Sequence, residues 1–144
     1  MPIANYTTSI EALKTVGEIQ GILVGHGARQ ILINYAADKT IESLSFIVET
    51  PHGELPFRLP VNANAVLKVL EEQGCPPRYA NYPQAVRVAW RITKDWIRAQ
   101  MALLETEMVK IEQVFLPYMM ASKDKTLYEV MRDKKFLTEG KHGD

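Results

Sequence analysis

From about Pro83 to Leu116 the sequence carries one long helical pattern, with a proline in its first turn and Pro117 just beyond its end. Proline is accepted in a first turn, where its missing N–H has no helical partner to lose, and it stops a helix elsewhere. Val88, Trp90, Ile92, Trp96, Ile97 and Met101 spread over most of the circumference of this segment. A helix so apolar has to be packed on several sides, and that requirement shapes the rest of the fold. One strip of it is different. Arg87, Arg91, Lys94 and Arg98 follow one another at intervals of four, three and four. At about 100° per residue they fall within about 60° of one another, a single basic stripe.

The stripe belongs to a wider segregation of charge. The chain balances 17 Lys and Arg against 17 Asp and Glu. Up to Pro77 there are five basic residues against eight acids, whereas Arg78 to Gln100 holds five basic residues and the single acid Asp95. A neutral protein exerts no long-range pull on nucleic acid, but a local patch of this kind can bind phosphate.

The rest of the chain reads as short elements. Residues 3–10 are rich in β-favouring types and predict a strand. Thr15-x-x-Glu18 has the form of a capping box, followed by the helical apolar face Val16, Ile19, Ile22 and Leu23 and stopped by Gly25 and Gly27. Ile31, Ile33 and Tyr35 alternate, as do Leu44, Phe46 and Val48, and then Leu55, Phe57 and Leu59 after the turn signal Thr50-Pro51-His52-Gly53. Pro56 cannot donate to a ladder, which puts this last strand at a sheet edge. Asn62 or Asn64 caps a helix through Leu70, ended by Gly74 and Cys75-Pro76-Pro77; a short helix near 125–134 precedes a charged tail. The expected order is β-α-β-β-β-α-α-α, an α+β domain with helices against one face of a small, mostly antiparallel sheet. A chain of 144 residues makes one domain, expected over 1–134, with a flexible tail at 135–144.

Several classes of function are excluded early. No uncharged run exceeds ten residues, about half of what a membrane-spanning helix needs. One cysteine rules out a disulfide framework or a zinc site built on several thiolates. Met1-Pro2-Ile3-Ala4 has neither a basic region nor an apolar signal core, so a cytoplasmic protein is expected. His26, His52 and His142 are not spaced as metal ligands, and nothing local pairs Cys75 with a histidine base. Gly25-His26-Gly27 follows a helix, whereas a dinucleotide turn precedes one. No catalytic residues, no metal and no cofactor are expected.

The candidate binding residues are Arg78, Tyr79, Tyr82, Arg87, Arg91, Lys94 and Arg98. The stripe can neutralise phosphates along a strand. Tyr79 and Tyr82, beside Arg78 in a proline-flanked loop, can stack on unpaired bases. The competing reading is structural: the stripe is a solvated face or pairs with acids of a neighbouring subunit, and the tyrosine rings close over the core. Gly17, Gly21 and Gly25 recur every four residues at a cost of nearly 1 kcal/mol each relative to alanine, which predicts a close approach to the sheet or to another subunit.

The strings KTVGEIQ (14–20), GELPFRLPVN (53–62), QAVRVAWRITKDWIRAQ (84–100), FLPYMM (115–120) and TLYEVM (126–131) resemble a family of short proteins of bacteriophages and integrated elements. That resemblance implies a bacterial host cytoplasm and carries no catalytic residues. The order of elements over 15–59 and 84–104 is also similar to phage-type single-strand annealing proteins, from which the extra helix at 62–73 departs. Two functions follow from these readings, the first preferred and the second its alternative. One is a non-enzymatic, oligomeric protein binding single-stranded DNA in replication or recombination. The other is a protein-binding module that assembles with or inhibits a host or defence protein.

Overall fold

The structure is a computed structural model that describes residues 2–134; the tail expected at 135–144 lies outside the described residues. The fold is α+β. Helix α1 (Ala12–Gly25) leads into three strands, β1 (Ala28–Tyr35), β2 (Ile41–Thr50) and β3 (Gly53–Arg58). These are followed by α2 (Ala63–Glu72), α3 (Tyr82–Glu105), α4 (Ile111–Phe115) and, after a single 3-10 turn, α5 (Leu127–Asp133). The sheet is antiparallel in the order β1-β2-β3, so β3 with its Pro56 lies at an edge, as its sequence requires.

One face of this sheet is the core. Ile41, Leu44, Phe46 and Val48 point inward from β2; their spacing slips between Ile41 and Leu44, where a bulge in the pairing with β1 takes up Glu42. Val16, Ile19 and Leu23 cover them from α1, and Val86, Trp90, Ile97 and Met101 from α3. On another side of α3, Ala85 and Val88 are buried where α2 packs with Leu70. The long helix is therefore enclosed between the sheet and α2, which accounts for its apolar circumference.

Three sequence expectations are corrected. Residues 3–10 form turns and irregular chain and do not form a strand. They are pinned by side chains: Gln73 accepts from the Ile3 N–H at 2.7 Å, Asn5 donates to Asp95 at 2.9 Å, and Gln84 donates to the Tyr6 and Thr8 carbonyls at 2.9 and 2.8 Å. The first helix starts at Ala12, earlier than Thr15, with Glu11 at its cap and no side-chain capping bond; Thr15 and Glu18 turn toward α3 instead. The long helix breaks at Glu105, where Glu107 adopts a left-handed φ of 62° and its N–H donates to the Leu104 carbonyl. That break turns the chain so that Phe115 enters the core beside Phe46, Phe57 and Trp96.

The glycine row also behaves differently from expectation. Gly17, Gly21 and Gly25 are exposed, and a Cβ at any of them would meet nothing within 4 Å. Among the described residues they approach neither the sheet nor another helix.

The far edge of β3 is closed by the C-terminal segment. Phe57 bridges to Met119, and the Met120 N–H donates to the Pro56 carbonyl at 2.8 Å. Arg58 on β3 then grips Glu129 of α5 at 2.6 Å, and Thr126 caps α5 through a reciprocal bond pair with Glu129.

Candidate interaction surface

Asn81 starts α3 by accepting from the Gln84 N–H at 2.9 Å, so the stripe residues project from a capped, enclosed helix. They project toward α1. Glu18 takes both central cations on one oxygen: Arg91 Nη1 and Lys94 Nζ each lie 2.8 Å from its Oε1. Arg91 also donates to the buried Thr15 hydroxyl at 3.3 Å. The Lys94 ammonium above all, with Arg91 behind it, holds the Glu18 carboxyl below its usual value of 4.5, against the partial burial that raises it. Arg87 donates to Gln84 Oε1 at 2.9 Å and stands 3.8 Å from Glu11.

Among the described residues, Arg98 alone of the four is exposed with no acidic partner. The stripe exists as the spacing predicts, but its two central cations are tied to Glu18 of α1, and Arg87 is held by Gln84 of its own helix beside Glu11, the cap of α1. The acid that meets Arg91 and Lys94 belongs to α1 of the same chain, which neither the reading as a solvated face nor that of a neighbouring subunit's acids anticipates. Sequence alone did not single out Glu18 for this role, because its partners lie more than 70 residues away.

The tyrosine loop divides. Tyr79 is half-buried, edge-on to Tyr6 at 5.5 Å, with the exposed Arg78 guanidinium 4.9 Å from its ring centre. Tyr82, 37% exposed, stands apart from that pair. It borders a groove of about 390 Å³ where the starts of α1 and α3 meet the β1–β2 turn. Leu13, Tyr35, Lys39, Pro83 and Arg87 line it as well. Leu13 is 66% exposed and Tyr35 56%, so three large apolar or aromatic side chains converge on one opening.

A second groove, of about 460 Å³, lies on the opposite face of the sheet, between β1 and the C-terminal segment. Leu32, 60% exposed, borders it with Ile47, Pro56 and Met120. Leu32 lies off the face that Ile31, Ile33 and Tyr35 mark by alternation, whereas nothing in the local sequence singles out Leu13 as exposed. Among the described residues no three His, Cys, Asp or Glu side chains converge as metal ligands, and no helix is long and apolar enough to cross a membrane. No family model, curated protein or solved structure matches the chain.

Proposed function

We propose that this chain is a non-enzymatic protein-binding module that works as a homo-oligomer. The single observation that carries this reading is the use of the basic stripe. Glu18 occupies Arg91 and Lys94, and Arg87 is held by Gln84 beside Glu11, so little of the stripe is left to release counterions from a phosphate backbone. The exposed side chains that remain are large and apolar or aromatic, of the kind a protein interface covers: Leu13, Tyr35 and Tyr82 around one groove, and Leu32 at the other. Tyrosine and leucine gathered in an opening rimmed by Lys39 and Arg87 match an apolar interface centre with a polar rim. The setting implied by the sequence resemblance, a phage or integrated element in a bacterial cytoplasm, makes a host or defence protein the class of further partner.

The single-stranded DNA reading keeps one observation in its favour. Arg78 over Tyr79, with Tyr82 beside them in sequence at the start of α3, leaves one cation and two tyrosines there, and Arg98, with no acidic partner among the described residues, lies farther along the helix. Sedimentation with and without a single-stranded oligonucleotide separates the two. The module reading expects a mass above the 16.3 kDa of one chain without the oligonucleotide, little changed between about 50 and 200 mM salt. A 16.3 kDa species that gains mass only with the oligonucleotide, and loses it as salt rises, overturns the module reading in favour of DNA.

A further inference from the structure

The two edges of the sheet are treated in opposite ways. On β3, Pro56 removes a donor, and Met119 and Met120 close the rest by pairing with Phe57 and Pro56. On β1 no described segment pairs with the outer edge. Its bulge-free run is Gln30 to Asn34, bounded by irregular pairing on both sides, and it contains no charge, no proline and no glycine. Edge strands are ordinarily blunted by such residues, so this five-residue run, with Arg29 and the irregular pairing only at its margins, is a pairing site.

We propose that a second copy of this chain docks there, β1 against β1 antiparallel about a twofold axis through Leu32, joining the two sheets into one. This inference rests on the reading of the chain as a protein-binding module and names the occupant and the register. Symmetry sets the register. A twofold axis perpendicular to the sheet keeps each core face on the same side, so residues opposite one another must belong to the same face, and the axis must pass through a residue.

Ile31 and Ile33 share the core face, since they pair with Phe46 and Leu44; Gln30, Leu32 and Asn34 share the other. With the axis at Leu32, Ile31 meets the partner's Ile33, and Leu32 meets the partner's Leu32. Gln30 then meets the partner's Asn34, two carboxamides that each donate and accept. Moving the axis to Ile31 would set Gln30 against the partner's Leu32; moving it to Ile33 would set Leu32 against the partner's Asn34. Only the axis at Leu32 matches apolar with apolar and amide with amide along the whole run. It also sets the partner's Leu32 against Leu32, a side chain left 60% exposed by the single chain.

The test uses the full chain. Leu32→Lys, a change at an exposed position, is expected to keep the far-ultraviolet circular dichroism and to weaken dimerisation by about 100-fold in sedimentation equilibrium, by setting two like charges against each other across the interface. In a Cys75→Ala background, Leu32→Cys is expected to form a disulfide-linked dimer under mild oxidation, and Gln30→Cys is not. A dimer that survives Leu32→Lys with its affinity intact overturns this interface and leaves the module reading standing. A chain that is monomeric when complete but dimeric when ended at Lys134 shows residues 135–144 on the edge, and also overturns it. A monomer that binds the oligonucleotide overturns both.

Discussion

Glu18 on α1 and Lys94 on α3 meet at 2.8 Å, and the same carboxylate oxygen takes Arg91 at 2.8 Å. The two cations are mostly buried, with side chains 16% exposed for Arg91 and 14% for Lys94. What the sequence presents as a basic stripe is therefore a seam between two helices, and removing the anion from it would leave two cations with little access to water.

The first prediction concerns acid. Glu18 titrates below its usual 4.5 in the folded chain because Lys94 and Arg91 favour the carboxylate. A carboxyl lowered by folding contributes stability that is fully present above its unfolded value and is lost as pH falls through the folded one. Thermal unfolding should then show the native chain losing stability below about pH 4.5, and Glu18→Gln flattening that slope. At pH 7 the variant should melt a few degrees lower, and the gap should close in acid. An unchanged gap at both pH values would place the effect outside this ion pair.

A second prediction separates the members of the stripe. Arg98→Gln should change stability by no more than about 0.5 kcal/mol, as for any exposed side chain without a partner. Arg91→Gln should lower the melting temperature measurably, because it removes bonds to both Glu18 and the buried Thr15. Equal melting temperatures for the two variants would mean that the seam is solvated.

Local chemistry made part of this fold legible. The Thr50 to Gly53 hairpin and the Asn62 cap of α2 are decided within four residues, and the structure has both. Residues 3–10 have strand-like composition, but side-chain bonds from Gln84, Gln73 and Asp95, 70 or more residues away, decide their path. Thr126-x-x-Glu129, a true capping box, was as readable as Thr15-x-x-Glu18, which is not one. The difference lies in tertiary partners. Arg91 and Lys94 draw Glu18 away from the backbone, whereas Arg58 reaches Glu129 without breaking its bond to the Thr126 N–H. The stripe was visible for the same reason that its purpose was not: spacing gives the face of a helix, not what that face meets.

A third prediction tests the pinning of the N-terminal segment. Gln84 is 3% exposed, donates to the Tyr6 and Thr8 carbonyls, and accepts from Arg87. Gln84→Ala strands these groups and should cost about 1–3 kcal/mol in urea unfolding. Gln84→Glu should cost more, because it turns a carboxylate oxygen toward two carbonyl oxygens. A neutral effect of the alanine variant would show that water replaces the amide.

The last prediction concerns what holds the C-terminal segment on the domain. Beyond α3, Phe115 is the fully buried apolar side chain among the described residues, with its ring 5.5 Å from Trp96, 5.6 Å from Phe46 and 5.9 Å from Phe57. Phe115→Ala should cost about 3–5 kcal/mol, a large share of the 5–15 kcal/mol typical of a domain. Leu116→Ala, one residue on and 44% exposed, should stay within about 0.5 kcal/mol. The loss should not be uniform. Phe115 is the buried anchor just before Met119 and Met120, so hydrogen exchange at the Met120 amide should speed up more than exchange in β2. Equal acceleration everywhere would mean that the segment unfolds only with the whole domain. Selective acceleration would leave β3 with an unpaired edge, and the variant should then aggregate more readily than its parent at equal concentration.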